Sequence, residues 1–72
     1  MSVEVLRIGT VEKKADEQIR ISIKRLNSYD YLDIRTWWRK EETDEWLPTK
    51  KGITLRPDVV PEVAELISRA AA

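Results

Sequence analysis

"QIRISIKRLNSYDYLDIRTWW", residues 18–38, decides the fold. Its opening alternates strictly. Ile19, Ile21 and Ile23 point one way, and Arg20, Ser22 and Lys24 the other. A period of two marks a strand with one apolar and one wet face. Asn27 and Ser28 are turn formers. Beyond them the alternation resumes, with Leu32 and Ile34 on one face and Tyr31, Asp33, Arg35 and Trp37 on the other. Two such runs about a short turn predict an antiparallel hairpin.

Downstream, "RKEETDE" (39–45) reads as a charged loop. "EWLP" (45–48) fits a short strand ended by Pro48. "KKGITLR" (50–56) fits a further strand, with Ile53 and Leu55 inward and Thr54 and Arg56 outward. "PDVVPEVAELISRAAA" (57–72) predicts a helix, with Asp58 at its N-cap or first turn and Pro61 also in that turn. Val59, Val60, Val63, Ala64, Leu66, Ile67 and Ala70 form an apolar arc on the helical wheel. That arc is wider than the ~100° stripe a single packing surface needs. It suffices for the chain's own sheet and for a second chain. Upstream, "VEVLRIGTV" fits a leading strand bent at Gly9, and "EKKADEQ" a mobile link. Residues 1–18 are thus expected to be an N-terminal arm and 19–71 the domain. The expected class is α+β: a four-stranded antiparallel sheet covered by one C-terminal helix.

Seventy-two residues make one domain with a small core. Such domains gain stability from disulfides, a metal or a partner chain. Cys and His are both absent, which removes disulfides and the common zinc sites. Self-association remains, and a homodimer is expected, with Val63, Leu66, Ile67 and Trp46 at its interface. The N-terminus lacks the basic start and long apolar stretch of a signal peptide. No apolar run approaches the ~18 residues of a membrane span. A soluble intracellular protein with no membrane partner is expected, cytoplasmic in a prokaryote or virus host and nuclear in a eukaryote.

The absence of His, Cys and a Gly-rich phosphate loop argues against an enzyme and against a cofactor. "EETDE" matches no calcium-loop spacing, so a solvated acidic loop is the simpler reading and no metal is expected. The formal net charge is zero, but it is patterned. Residues 19–40 carry +4, 41–48 carry −4, and 49–56 carry +3. Two basic stretches therefore flank one acidic loop, and a local field can serve a polyanion even at zero net charge. The wet face of the sheet carries Arg20, Lys24, Arg35, Trp37, Lys50 and Arg56, with Tyr29 and Tyr31 nearby. Cations that follow phosphates and rings that stack on bases are what a single-stranded nucleic acid requires. Many solvated sheet faces also alternate such residues, so composition alone does not separate the two. By parity Trp37 belongs to the wet face and Trp38 to the apolar one. Trp46, beside Leu47, reads as a packing or dimer residue, and Arg39 and Lys40 as solvated charges. A second class of function is a dimeric interaction module that grips a protein with its Trp cluster and acidic loop.

"IRISIKRLNSYDYLDIRTWW", then "LPTKKGITL" and a closing helix, resembles the C-terminal domain of the transcriptional coactivator positive cofactor four and its small bacterial and phage relatives. The specific signals are "DIR" followed by an aromatic pair, and Pro-x-Lys-Lys-Gly-Ile-x-Leu some ten residues on. The resemblance covers residues 19–70, and "GTVEK" at 9–13 resembles the lead-in of bacterial members. It implies a four-stranded sheet with one helix, a homodimer, and binding of single-stranded DNA, with RNA left open. The transcription machinery is a further implied partner. By position, Lys24, Arg35, Trp38, Lys50 and Lys51 match DNA-contacting positions of the family. A bulge near Thr36–Trp37 is expected to carry Trp38 to the site. The family often has an aromatic at the position of Leu26 and a Lys at that of Tyr29, so Tyr29 is a substitute stacking ring. No long Ser- and Lys-rich extension is present, which points to a prokaryotic or viral source.

Overall fold

The computed structural model describes residues 3–72. Four strands, β1 (Val3–Lys14), β2 (Glu17–Leu26), β3 (Tyr29–Lys40) and β4 (Glu45–Leu55), form one antiparallel sheet in the order β1-β2-β3-β4. A short 3-10 turn, Pro57–Val59, leads into helix α1 (Val60–Ala71). The four-stranded sheet and single C-terminal helix agree with the sequence.

The hairpin of β2 and β3 is the regular centre. Its register runs without a shift from Glu17 opposite Trp38 to Leu26 opposite Tyr29. Asn27 turns the chain with a φ of 58°, a left-handed conformation that Asn tolerates better than most residues. Because pairing is unbroken, alternation holds throughout. Arg20 lies beside Arg35 and Ser22 beside Asp33 on one face, while Ile19, Ile21 and Ile23 lie beside Thr36, Ile34 and Leu32 on the other.

Four expectations require correction. The stretch 12–18, read as a link, is the end of β1, a tight turn and the start of β2. The backbone N–H of Arg39 donates to the Asp16 carbonyl at 2.8 Å, tying that turn to β3. The segments 45–48 and 50–56, read as two strands, form the single strand β4. Pro48 does not end it, because the chain bulges at the next residues: Pro48 lies opposite Trp37 and Gly52 opposite Arg35, so three residues of β4 face one of β3. An edge strand with a bulge accommodates a residue that cannot donate. Arg39 and Lys40 end β3 rather than lying in a loop, and the turn narrows to Glu41–Asp44.

The fourth correction concerns the helix. It was expected to cover the sheet, but it makes substantial contact only with the 3-10 turn that precedes it. Asp58 gives no side-chain cap; it pairs with Arg56 at 3.4 Å. Leu66 and Ile67 are more than half exposed. The apolar face of the sheet is equally open, with Leu6, Val11 and Ile53 exposed, and no apolar side chain among the described residues is buried. The radius of gyration is 13.4 Å, against about 11 Å for a compact domain of this length. The chain by itself therefore leaves two apolar surfaces open, one on the helix and one on the sheet.

Candidate nucleic-acid interface

Burial is concentrated on the polar face. Asp33, Ser22 and Arg20 are the buried polar residues, with Asp33 only 2% exposed. A carboxylate taken from water needs cations and donors. Asp33 has both: Lys24 Nζ lies 3.3 Å from Oδ2, and Arg35 Nη2 donates to Oδ1 at 3.0 Å. Arg35 Nε also reaches the carboxylate at 3.2 Å. Beside them the Ser22 hydroxyl donates to Glu4 Oε1 at 2.9 Å.

Arg35 extends across Gly52. A Cβ at Gly52 would stand 2.7 Å from the Ile34 carbonyl oxygen and 3.0 Å from both Cβ and Cζ of Arg35. Only a residue without a side chain lets the guanidinium pass. Beyond Gly52, Arg35 Nη1 donates to the Thr49 carbonyl at 2.8 Å. The Thr49 hydroxyl donates to the Thr36 carbonyl at 2.7 Å and accepts from the Lys51 N–H at 3.1 Å. These bonds staple the β4 bulge to β3.

The bulge shapes a shallow groove of about 430 Å³, lined by Lys24, Tyr31, Asp33, Arg35, Pro48, Thr49 and Lys50. Three cations face one carboxylate, so an excess of positive charge lies beside an aromatic ring. Lys51, the next residue, lines a second recess of about 330 Å³ with Lys13, Ile19, Ile34 and Ile53, on the apolar side. The two lysines named from the sequence thus line recesses on opposite faces of the sheet.

Lys24, Arg35 and Lys50 are brought together in the groove. Tyr29 is not among them; it stands at the hairpin tip, 78% exposed. Trp37 is on the polar face, where the Arg20 guanidinium carbon lies 4.3 Å from its ring centre. Trp46 is on that face too, with its ring centre 5.6 Å from the same carbon. Burial, and next the neighbouring Arg7, lower the pKa of Arg20 from its ordinary value. Trp38 pairs with Leu47 and Glu17, at the parity of Ile34. The irregularity does fall beside Thr36, but its extra residues are on β4, so it does not carry Trp38 across. The three indoles therefore form no single cluster. Thr49 and Gly52 are site residues not singled out from the sequence, whereas Tyr31, expected near the wet face, lies in the groove.

Among the described residues no set of three His, Cys, Asp or Glu side chains is placed to hold a metal ion, and no helix is long and apolar enough to cross a membrane.

Residues 13–66 match the family described as Transcriptional Coactivator p15 (PC4). The chain belongs to that family of DNA-binding transcriptional coactivators. Its fold is similar to that of a PC4 homolog from Burkholderia pseudomallei in two crystal forms. The orthorhombic form superposes with a TM-score of 0.84 at 29% identity, over 90% of this chain and 86% of that one. The tetragonal form gives 0.82 at 29% identity, over 92% and 96%. No curated protein matches the chain in sequence.

Proposed function

We propose that this protein is a homodimeric binder of single-stranded DNA that acts in transcription regulation or on opened duplex. The observation that carries the reading is the groove between β3 and the β4 bulge, where Lys24, Arg35 and Lys50 surround Tyr31. The cations hold phosphates; Tyr31 within the groove and Tyr29 at the hairpin tip offer rings to bases. Lys51 adds to the local field from the opposite face of the sheet. Stacking needs open base faces, which a duplex hides. Dimerisation is supported by the two uncovered apolar surfaces of the protomer, which water alone would otherwise solvate. Membership of a DNA-binding coactivator family supports the same reading.

The test is a titration of oligothymidylate at two salt concentrations, followed by Trp fluorescence. Affinity is expected to fall with salt with a log–log slope of about −0.7 for each phosphate neutralised. Equal affinity for a hairpin duplex and for its unpaired strand would overturn the stacking mechanism.

A further inference from the structure

Arg20 is buried, yet it lies outside the groove's lining. Its Nε donates to Gln18 Oε1 at 3.2 Å. Its guanidinium carbon lies 4.3 Å from the ring centre of Trp37 and 5.6 Å from that of Trp46. A planar cation within about 6 Å of two indoles is attracted to both. The indoles come from different strands, β3 and β4, and each is only half-buried. Arg20 thus fixes two large rings on the polar face while leaving part of each open. Pro48 links this place to the groove: it lies opposite Trp37 in register and also lines the groove. From Tyr31 to Trp37 is six residues along β3, about 20 Å at strand rise.

We propose that Trp37 and Trp46, positioned by Arg20, form a second stacking platform that takes a further base of the same single strand, beyond the groove. This rests on the groove reading and extends it along β3. The ligand class is a nucleobase, since rings of any base can stack on an indole. The platform also marks where the track ends. Glu41, Glu42, Asp44 and Glu45 follow immediately in the β3–β4 turn and the start of β4, and their field repels phosphate. A base can be accepted at Trp46, but a backbone continuing over the turn is disfavoured. Arg20 is a positioning residue here, because its charge is directed at the two rings.

Oligothymidylates of about 4 and about 16 nucleotides, the ends of the range of common single-strand site sizes, separate groove from platform. Both are titrated into wild type, Trp46→Leu and Arg20→Lys. The short oligonucleotide should bind all three alike. The long one should lose about 5- to 150-fold in Trp46→Leu, the equivalent of one stacked base. Arg20→Lys keeps the charge, so its salt slope should be unchanged while the advantage of the long oligonucleotide shrinks. The contrast between lengths within one variant guards against fold damage, which would weaken both equally. Equal loss at both lengths, or no loss at either, would overturn the platform and leave the groove standing. Failure of wild type to bind either length would remove both readings together.

Discussion

Asp33 and Gly52 show how closely side chains set this site. Asp33 holds Lys24 and Arg35 in place but also neutralises part of their charge. Removing it as Asp33→Ala leaves two crowded cations without their counter-charge, a loss of about 3 kcal/mol expected in chemical denaturation. A stability unchanged within error would mean that water replaces the carboxylate. Gly52→Ala has a different cause. Its Cβ would meet the Ile34 carbonyl oxygen at 2.7 Å and Arg35 Cζ at 3.0 Å, so β3 and β4 must separate and the guanidinium must shift. Overpacking of this kind costs about 1–3 kcal/mol. Because Arg35 is displaced, affinity for oligothymidylate should fall as well, and an unaltered isotherm would show that Arg35 is not needed where it lies. The lysine pair gives a third contrast. Lys50 lines the groove and Lys51 the opposite recess. Lys50→Ala should therefore flatten the salt slope by about 0.7, while Lys51→Ala changes it less. Equal effects would place both side chains on one phosphate path.

At the scale of elements, the β2–β3 hairpin carries a pH-dependent contact near its turn. Arg25 Nε donates to Asp30 Oδ1 at 2.7 Å, and this hydrogen bond is the main cause that lowers the Asp30 pKa from its ordinary value. A lowered folded-state value stabilises above the unfolded carboxylate range, and the benefit is lost as pH falls through the folded value. Carboxyl NMR should show the Asp30 midpoint rising in Arg25→Ala; an unmoved midpoint would mean that the pair does not persist in solution. This hairpin was also the most legible part of the chain. Alternation gave its two strands, Asn27 and Ser28 its turn, and unbroken pairing let face assignments such as Trp37 and Ile34 hold. The flanking strands were less legible for a physical reason. β1 shifts register after Glu4, Arg7 and Glu12, so its apolar residues follow no single period. In β4 the Thr49–Lys51 bulge interrupts alternation at the point where the groove is made. Its staple uses a Thr hydroxyl and backbone carbonyls, groups that leave no periodic trace. Arg20 was visible as a wet-face residue, but its place beside Trp37 and Trp46 depends on how two strands meet.

The whole molecule is best understood from what one protomer lacks. It spans 40 × 37 × 18 Å and holds no buried apolar side chain among its described residues. A helix of twelve residues is marginal in water by itself. Here it gains little from the sheet, since it touches mainly the 3-10 turn before it. Its Leu66 and Ile67 are 54% and 57% exposed, and Ile53 and Val11 leave the sheet's apolar face similarly open. Burying one Leu or Ile contributes about 1.5–3 kcal/mol. In the homodimer proposed above, several such side chains would be covered twice over by a two-fold pairing, supplying what a chain without disulfides otherwise lacks. Folding and association should therefore be one process, with a melting temperature that rises with protein concentration. Leu66→Asp should remove the dimer and much of the helix signal together, because a charge cannot be desolvated in that contact without a partner. Arg69→Ala is a matched control on the same helix: its contact with Glu65 at 3.0 Å is solvent-exposed, and such pairs contribute at most about 0.5 kcal/mol. Sedimentation equilibrium and far-UV circular dichroism on the same samples check both halves of the expectation. A folded wild-type monomer at micromolar concentration, with a melting temperature independent of dilution, would show that the protomer covers its apolar faces alone.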